Sequence, residues 1–294
     1  PATGNKKLMR GILRDEMGFD GVLISDWAAI EETIYHGYCA DKEDAAIRAV
    51  EAGVDIDMMT GIYCDNLCRL VREGKIPESL VDECCMRILE LKNKLGLFEN
   101  PYKDADEEKE QQLILCKEHR ELAREAARKS FVLLKNEEQI LPLDKTKKTA
   151  FIGPYVNSRN LMGSWSIIGE AKDITTVEEI MAVEEAGNNV VCCQGSPMLG
   201  AEGILEGFTE ENQATYTPEE EAKMLEEALE AAKKADQVVL FIGEDRLQSG
   251  EATSNATIQI PQIQQNLLER VAEINENIAV VLFSGRPLDL RDVQ

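Results

Sequence analysis

Two places in this sequence put carboxylates where they could do chemistry, either as nucleophiles or as proton carriers. The first is Asp26. It follows the apolar run Val22-Leu23-Ile24, after which the polarity flips at once to Ser25-Asp26-Trp27. A short apolar run bounded by turn residues reads as a fully buried strand of a parallel sheet. The C-terminal ends of such strands are where α/β folds hold their reactive groups. Spacing alone leaves a plainer reading open, in which Asp26 only caps the next helix. The second place is the polar stretch 243–255, which offers Glu244, Asp245 and Glu251. It is long for a connection in an α/β unit, and long loops in compact domains tend to be functional or disordered. A Glu on a surface loop is usually only solvated, so residue type does not choose among the three. Glu244 and Arg246 could serve as loop ligands, but read more simply as a surface ion pair.

Other chemistries lack their residues. His36 and His119 have no Ser or Cys partner at a recognisable spacing, so a nucleophilic triad has no support. Gly163-Ser164-Trp165 lacks the second glycine of a nucleophile elbow. The glycine-rich stretches lack the Lys-Ser or Lys-Thr of a phosphate loop. The eight cysteines, Cys39, Cys64, Cys68, Cys84, Cys85, Cys116, Cys192 and Cys193, match neither a zinc site nor a disulfide framework. They read as buried, reduced thiols, which fits a reducing cytosol. Cys64 and Cys68 fall on one helix face if their segment is helical.

The elements that must position Asp26 alternate. Leu8, Met9, Ile12, Leu13 and Met17 recur at helical spacing over 6–17, and Gly18 is the stop. After the strand come a loop through His36 and Gly37, a helix over 41–52, a short strand over 54–59, and helices over 63–73 and 77–95, with Pro77 in the first-turn position. This is the rhythm of parallel βα units. Two strands cannot close a barrel, which takes about 250 residues. Residues 103–111 are charged and poor in apolar side chains, the marks of a linker or equally of a solvated helix start. Beyond them the pattern predicts a helix over 113–129 and strands over 131–136, 149–152, 189–193, 238–242 and 278–283. Thr217-Pro218-Glu219-Glu220 has the form of a capping box with proline in the first turn, opening a helix to about 234. A last helix spans 261–275.

The wording of these segments resembles glycoside hydrolase family 3, the β-glucosidase and β-xylosidase family. Leu13-Arg14-Asp15-Glu16-Met17-Gly18-Phe19-Asp20-Gly21 followed by Ile24-Ser25-Asp26-Trp27 is similar to the family's nucleophile strand. Ala52-Gly53-Val54-Asp55-Ile56-Asp57-Met58 looks like its last barrel strand, and the run from Leu91 to Tyr102 like the closing barrel helix and exit. His119 to Ala126, Ser130 to Asn136 and Ile140-Leu141-Pro142-Leu143 resemble the opening of its second domain. Ser249-Gly250-Glu251-Ala252-Thr253-Ser254, with Ile258-Gln259-Ile260-Pro261-Gln262, resembles its acid/base loop; Asn255 departs from the Arg that many relatives carry.

The resemblance implies an α/β chain with the C-terminal part of a (β/α)8-type barrel over 1–102, a linker over 103–112, and an α/β sandwich over 113–294, both domains incomplete. It implies a retaining exo-β-glycosidase, first of all a β-glucosidase, that removes terminal non-reducing β-D-glucosyl residues by double displacement. Asp26 would be the nucleophile, Glu251 the acid/base, and Trp27 an aromatic wall for the sugar ring rather than a half-buried core residue. Such a pair works with one carboxyl ionised and the other protonated, about 5–5.5 Å apart in retaining enzymes. No metal or organic cofactor is implied. The alternative is that the chain is a catalytically incomplete fragment, a non-catalytic α/β module that associates with a partner chain, or with its own copy, through the open barrel edge.

Composition narrows the partners. With 32 basic and 55 acidic residues the formal charge is −23, which argues against nucleic acid and anionic membrane. No apolar run approaches the ~18 residues that a membrane span needs. The chain opens at Pro1 without Met, which leaves room for a removed leader. A neutral β-glucoside or oligosaccharide would be indifferent to the field. The apolar fraction of 44% is enough for sizeable cores.

Overall fold

The computed structural model describes residues 1–137, 139–163, 165–166, 169–184, 189–199, 216–251 and 253–293. Two compact units emerge, Pro1–Ser130 and Phe131–Gln294.

The first unit is built mostly from helices: α1 (Ala29–Tyr35), which stands where a loop was expected, α2 (Lys42–Ala52), α3 (Ile62–Arg72), α4 (Glu78–Lys94), α5 (Glu107–Leu113) and α6 (Lys117–Ser130). Local signals set several of their ends. Asp41 caps α2 by accepting the Asp44 amide, and Gly53 closes it at φ 92, a left-handed conformation that suits glycine. Pro77 is the N-cap of α4, not its first helical residue. The helix expected over 6–17 is present as Lys7–Glu16, but wound with i→i+5 bonds, Met17 N donating to Ile12 O at 2.9 Å. The core gathers Ile30, Val50, Ile62 and Leu70, all fully buried, around the alanine face of α2.

The two strand segments expected here meet only at the parallel bridge between Ile24 and Ile56. Asp55 N donates to Leu23 O at 2.8 Å, and Ser25 N to Ile56 O at 2.9 Å. The expectation of a fully buried strand is not met. Val22 and Leu23 are half-buried, and Ile24 is 49% exposed, because among the described residues no further strand pairs beside it. Asp55 is the polar centre of this pair. Its side chain is fully buried, takes Arg14 and Arg87 at 2.8 Å each, and accepts the Leu23 amide. Arg14 also donates to the Gly21 and Gly53 carbonyls, tying the π-helix to both strand segments.

The segment expected as a linker contains α5, capped by Asp106, and the division between units falls after Ser130. Residues 131–136 do not form a strand. Phe131, Val132, Leu133 and Leu134 are 67–77% exposed and find no sheet partner among the described residues. Apolar β-formers make a strand only when a neighbouring chain supplies the hydrogen bonds.

The second unit holds a parallel sheet of β1 (Thr149–Ile152), β2 (Val190–Cys193), β3 (Gln237–Gly243) and β4 (Ile278–Phe283), in the order β2-β1-β3-β4. Its helices are α7 (Val177–Val183), α8 (Pro218–Lys234) and α9 (Gln262–Ala272). The capping box read at Thr217 is present in both directions, Thr217 Oγ1 to Glu220 N and Glu220 to Thr217 N. β3 is buried along its whole length. Val238, Leu240 and Ile242 face Ala228 and Ala232 of α8 and Leu267 and Val271 of α9. Val239 and Phe241 face the opposite way, among Tyr155, Val156 and Ala279. Each such aliphatic side chain contributes about 1.5–3 kcal/mol by burial, so β3 is the strand on which the sheet is hung.

Candidate active site

Asp26 and Trp27 lie in the unit Pro1–Ser130, Glu251 in the unit Phe131–Gln294. The surroundings of the two acids are built differently.

Asp26 sits in the turn between the Ile24 segment and α1, with its side chain exposed to solvent. It does not cap α1. The N-cap is Ala28, held at φ 55, with no side-chain cap bond among the described residues. Asp26 Oδ1 accepts only the amide of the next residue, Trp27, at 2.8 Å. The plain capping role left open by spacing is therefore absent, and the carboxylate faces water. Below it, Ser25 is buried. Its hydroxyl accepts Met58 N at 2.9 Å and donates to Asp26 O at 2.9 Å, while Ala28 N donates back to Met58 O. The turn that carries Asp26 is thus stitched to the end of the neighbouring segment in both directions. Trp27 is 62% exposed.

Glu251 lies exposed in a turn of the stretch 243–255. The other two acids of that stretch are not exposed. Glu244 is only 4% accessible and pairs with Arg286 Nε at 3.2 Å, not with Arg246 on the surface. Burial pushes the Glu244 carboxyl above its ordinary value, with Arg286 pulling the other way. Asp245 is also buried. Its Oδ1 accepts Leu247 N and its Oδ2 accepts Asn160 Nδ2, so it folds the loop's first turn. Two of the three acids are consumed by structure, and Glu251 alone is left facing solvent. Asn255 Nδ2 donates to Gln248 O at 3.2 Å, so the loop is anchored on itself.

The root of this loop is rigid. Gly243 stands at φ 150, and a Cβ there would fall on the backbone of Phe283 in β4. Gln264 bonds the Gly243 amide at 2.8 Å and its carbonyl at 2.9 Å. Tyr155 stacks on Phe283 with ring centroids 4.1 Å apart and donates its hydroxyl to the Glu244 carbonyl.

Residues 1–91 match the glycosyl hydrolase family 3 N terminal domain, and residues 131–294 match the glycosyl hydrolase family 3 C-terminal domain. The chain belongs to glycosyl hydrolase family 3. It is 37% identical to a periplasmic beta-glucosidase of Salmonella typhimurium, over 99% of this chain and 39% of that one. It is 31% identical to a beta-xylosidase of Formosa agariphila over 99% of this chain and 39% of that one. A crystal structure of beta-glucosidase from Listeria innocua in complex with isofagomine matches at a TM-score of 0.85 and 39% identity, over 100% of this chain and 38% of that one. The chain therefore spans under two-fifths of the length of these family 3 relatives. The fold class expected from the sequence, α/β with a parallel sheet, agrees with these family 3 structures.

Sequence reasoning gave no role to Ser25, Asp55 or Gly285. Asp55 did carry a signal, since an acid between Val54 and Ile56 in a short apolar strand must find a buried partner. Among the described residues, no group of three or more His, Cys, Asp or Glu is placed to hold a metal ion, and no helix is long and apolar enough to cross a membrane. All eight cysteines are free. Cys39 and Cys84 are buried as expected, but Cys64, Cys68 and Cys85 are exposed.

Proposed function

We propose that this chain supplies both carboxyls of a retaining exo-β-glycosidase, with Asp26 as nucleophile, Glu251 as acid/base and Trp27 as the wall for the sugar ring. The observation that carries the reading is the state of the two acids. Asp26 is freed from capping at the end of a parallel segment, and Glu251 is the one acid of its loop not consumed by structure. Family membership and the names of the relatives support a β-glucoside as first substrate.

The chemistry balances with these two groups. An Asp26 oxygen bonds to the anomeric carbon as the bond to the leaving oxygen breaks, and that oxygen takes the Glu251 proton. Glu251, now ionised, takes a proton from water while the water oxygen displaces Asp26. The products are the free sugar and the alcohol, and both carboxyls return to their starting states.

The test is hydrolysis of aryl β-D-glucosides and β-D-xylosides. The 294-residue chain is assayed alone and joined to the remainder of a family 3 barrel. We expect turnover only in the joined form, because the first unit presents one parallel pair of segments and no closed barrel. Asp26→Asn should abolish that turnover, and Glu251→Gln should cost about 10²–10⁴-fold on unactivated substrates. An Asp26→Asn variant with undiminished activity would sink the assignment. The exposed face of Ile24 supports the second reading, a non-catalytic module that associates through this edge. Its signature is a stable higher mass of the isolated chain in sedimentation, together with no turnover in the joined form. The eight free thiols support a cytosolic setting, although the Salmonella relative is named periplasmic. Cell fractionation decides between the two.

A further inference from the structure

The loop that carries Glu251 leaves β3 at Gly243, yet two of its contacts are made with the turn that follows β4. At its root, Glu244 pairs with Arg286 Nε at 3.2 Å, and both groups are largely shielded from water. Near its tip, Ser249 lies directly against Gly285. A Cβ built on Gly285 would overlap Ser249 Oγ and stand 3.0 Å from Ser249 Cβ. Ser249 is two residues before Glu251. The turn itself is held in shape by Ser284, whose hydroxyl donates to the Arg286 carbonyl and accepts the Arg286 amide at 3.1 Å. Glu244 N donates to Phe283 O at 3.0 Å, so the two chain segments leave the sheet already bonded to one another.

We propose that the turn Ser284-Gly285-Arg286 is the seat of the acid/base loop and that Gly285 and Arg286 are positioning residues for Glu251. Arg286 fixes the loop's root through Glu244. Gly285 lets Ser249 down onto the backbone, where any side chain at 285 would lift it. The reason for glycine is space and not backbone strain. The residue has no left-handed φ, so alanine or valine fits the local backbone and disturbs only what rests on it. The proposal deepens the assignment of Glu251 as proton donor and rests on it for its catalytic consequence. The seat itself is a matter of geometry and is tested without turnover.

The first measurement is amide hydrogen exchange on the 294-residue chain. Gly285→Val should speed exchange across 245–251 while leaving β3 and α9 protected as in the parent. Ser249→Gly added to Gly285→Val removes both clashing atoms and should restore slow exchange. Unchanged exchange in Gly285→Val overturns the seat, and so does a double variant no better than the single one. General unfolding of Gly285→Val would show as lost protection in β3, and Gly285→Ala then supplies the milder step of the same series.

The second measurement uses the form that turns over. Acid assistance matters for a poor leaving group and little for an activated one. Gly285→Val should therefore lose about tenfold or more in kcat/KM on a disaccharide while changing less than about threefold on a dinitrophenyl glucoside, and Ser249→Gly should recover the loss. A merely structural role would lower both substrates together. Glu251→Gln is the control that separates the two claims. If that variant shows no dependence on leaving group, the proton-donor reading fails. If it shows one and Gly285→Val does not, the seat fails.

Discussion

Arg14 Nη2 lies 2.8 Å from Asp55 Oδ2, and that same oxygen accepts the Leu23 amide at 2.8 Å. One buried carboxylate therefore sets the register between the two segments that bracket the candidate nucleophile. Arg87 completes the cage on the other oxygen. Replacing Asp55 with Ala leaves two guanidinium groups without their carboxylate and the Leu23 amide without its acceptor. Breaking such a buried pair costs about 3–5 kcal/mol. Chemical denaturation of Asp55→Ala, followed by exchange protection in α2 and α3, should show a loss on that order. A loss below ~1 kcal/mol would mean water replaces the carboxylate at little cost.

Ser25 gives a prediction that joins stability to function. Ser25→Ala strands Met58 N and takes one of two donors from the Asp26 carbonyl, which keeps the Ala29 amide. Leaving a buried donor unsatisfied costs about 1–3 kcal/mol. In the form that turns over, kcat should fall more than the loss of stability accounts for at a temperature well below unfolding. Full kcat with lowered stability would make the hydroxyl a fold element only.

Glu244 predicts a pH dependence whose sign is set by burial. Its carboxyl is raised above 4.5, so the folded protein holds that proton more tightly than the unfolded chain does. The stability this group gives is full below its unfolded value and fades as pH rises through the folded one. Arg286 and Ser284 are the side chains that face it and oppose the rise. Glu244→Gln cannot titrate. Urea denaturation at stepped pH from roughly 4 to 7 should show the variant gaining on the parent as pH climbs. A constant difference would contradict the raised value.

The thiols divide by burial. Burial pushes Cys84 and Cys193 up to about 12, whereas Cys64, Cys68 and Cys85 are exposed. At pH 8 a thiol at about 12 is ionised in only about one molecule in 10⁴, and the thiolate is the reactive form. Iodoacetamide labelling read by peptide mass should modify Cys64, Cys68 and Cys85 in the folded protein. Cys84 and Cys193 should label only after denaturation. Fast labelling of Cys84 in the native state would contradict its burial.

Much of the fold was legible because it is written locally. Thr217-Pro218-Glu219-Glu220 satisfies its own amides, and Asp41 and Gly53 bound α2 by means of residues within one turn. The strands over 149–152, 189–193, 238–242 and 278–283 were legible because each is an apolar run set between turns. Two of the failures are non-local. Residues 131–136 have the right composition for a strand and no partner, and Glu244, read as a surface group, is buried because a turn 42 positions later in the sequence offers Arg286.

The sequence by itself determined the start of α8 and the ends of α2, the parallel sheet and the family to which the chain belongs. The tertiary structure alone decided which acids are spent on structure and which face water. Asp55, Glu244 and Asp245 are held by buried partners, while Asp26 and Glu251 are left exposed. Capping and periodicity are satisfied within a turn or two of chain. The fate of a carboxylate depends on desolvation and on charges that come near only after the chain has folded.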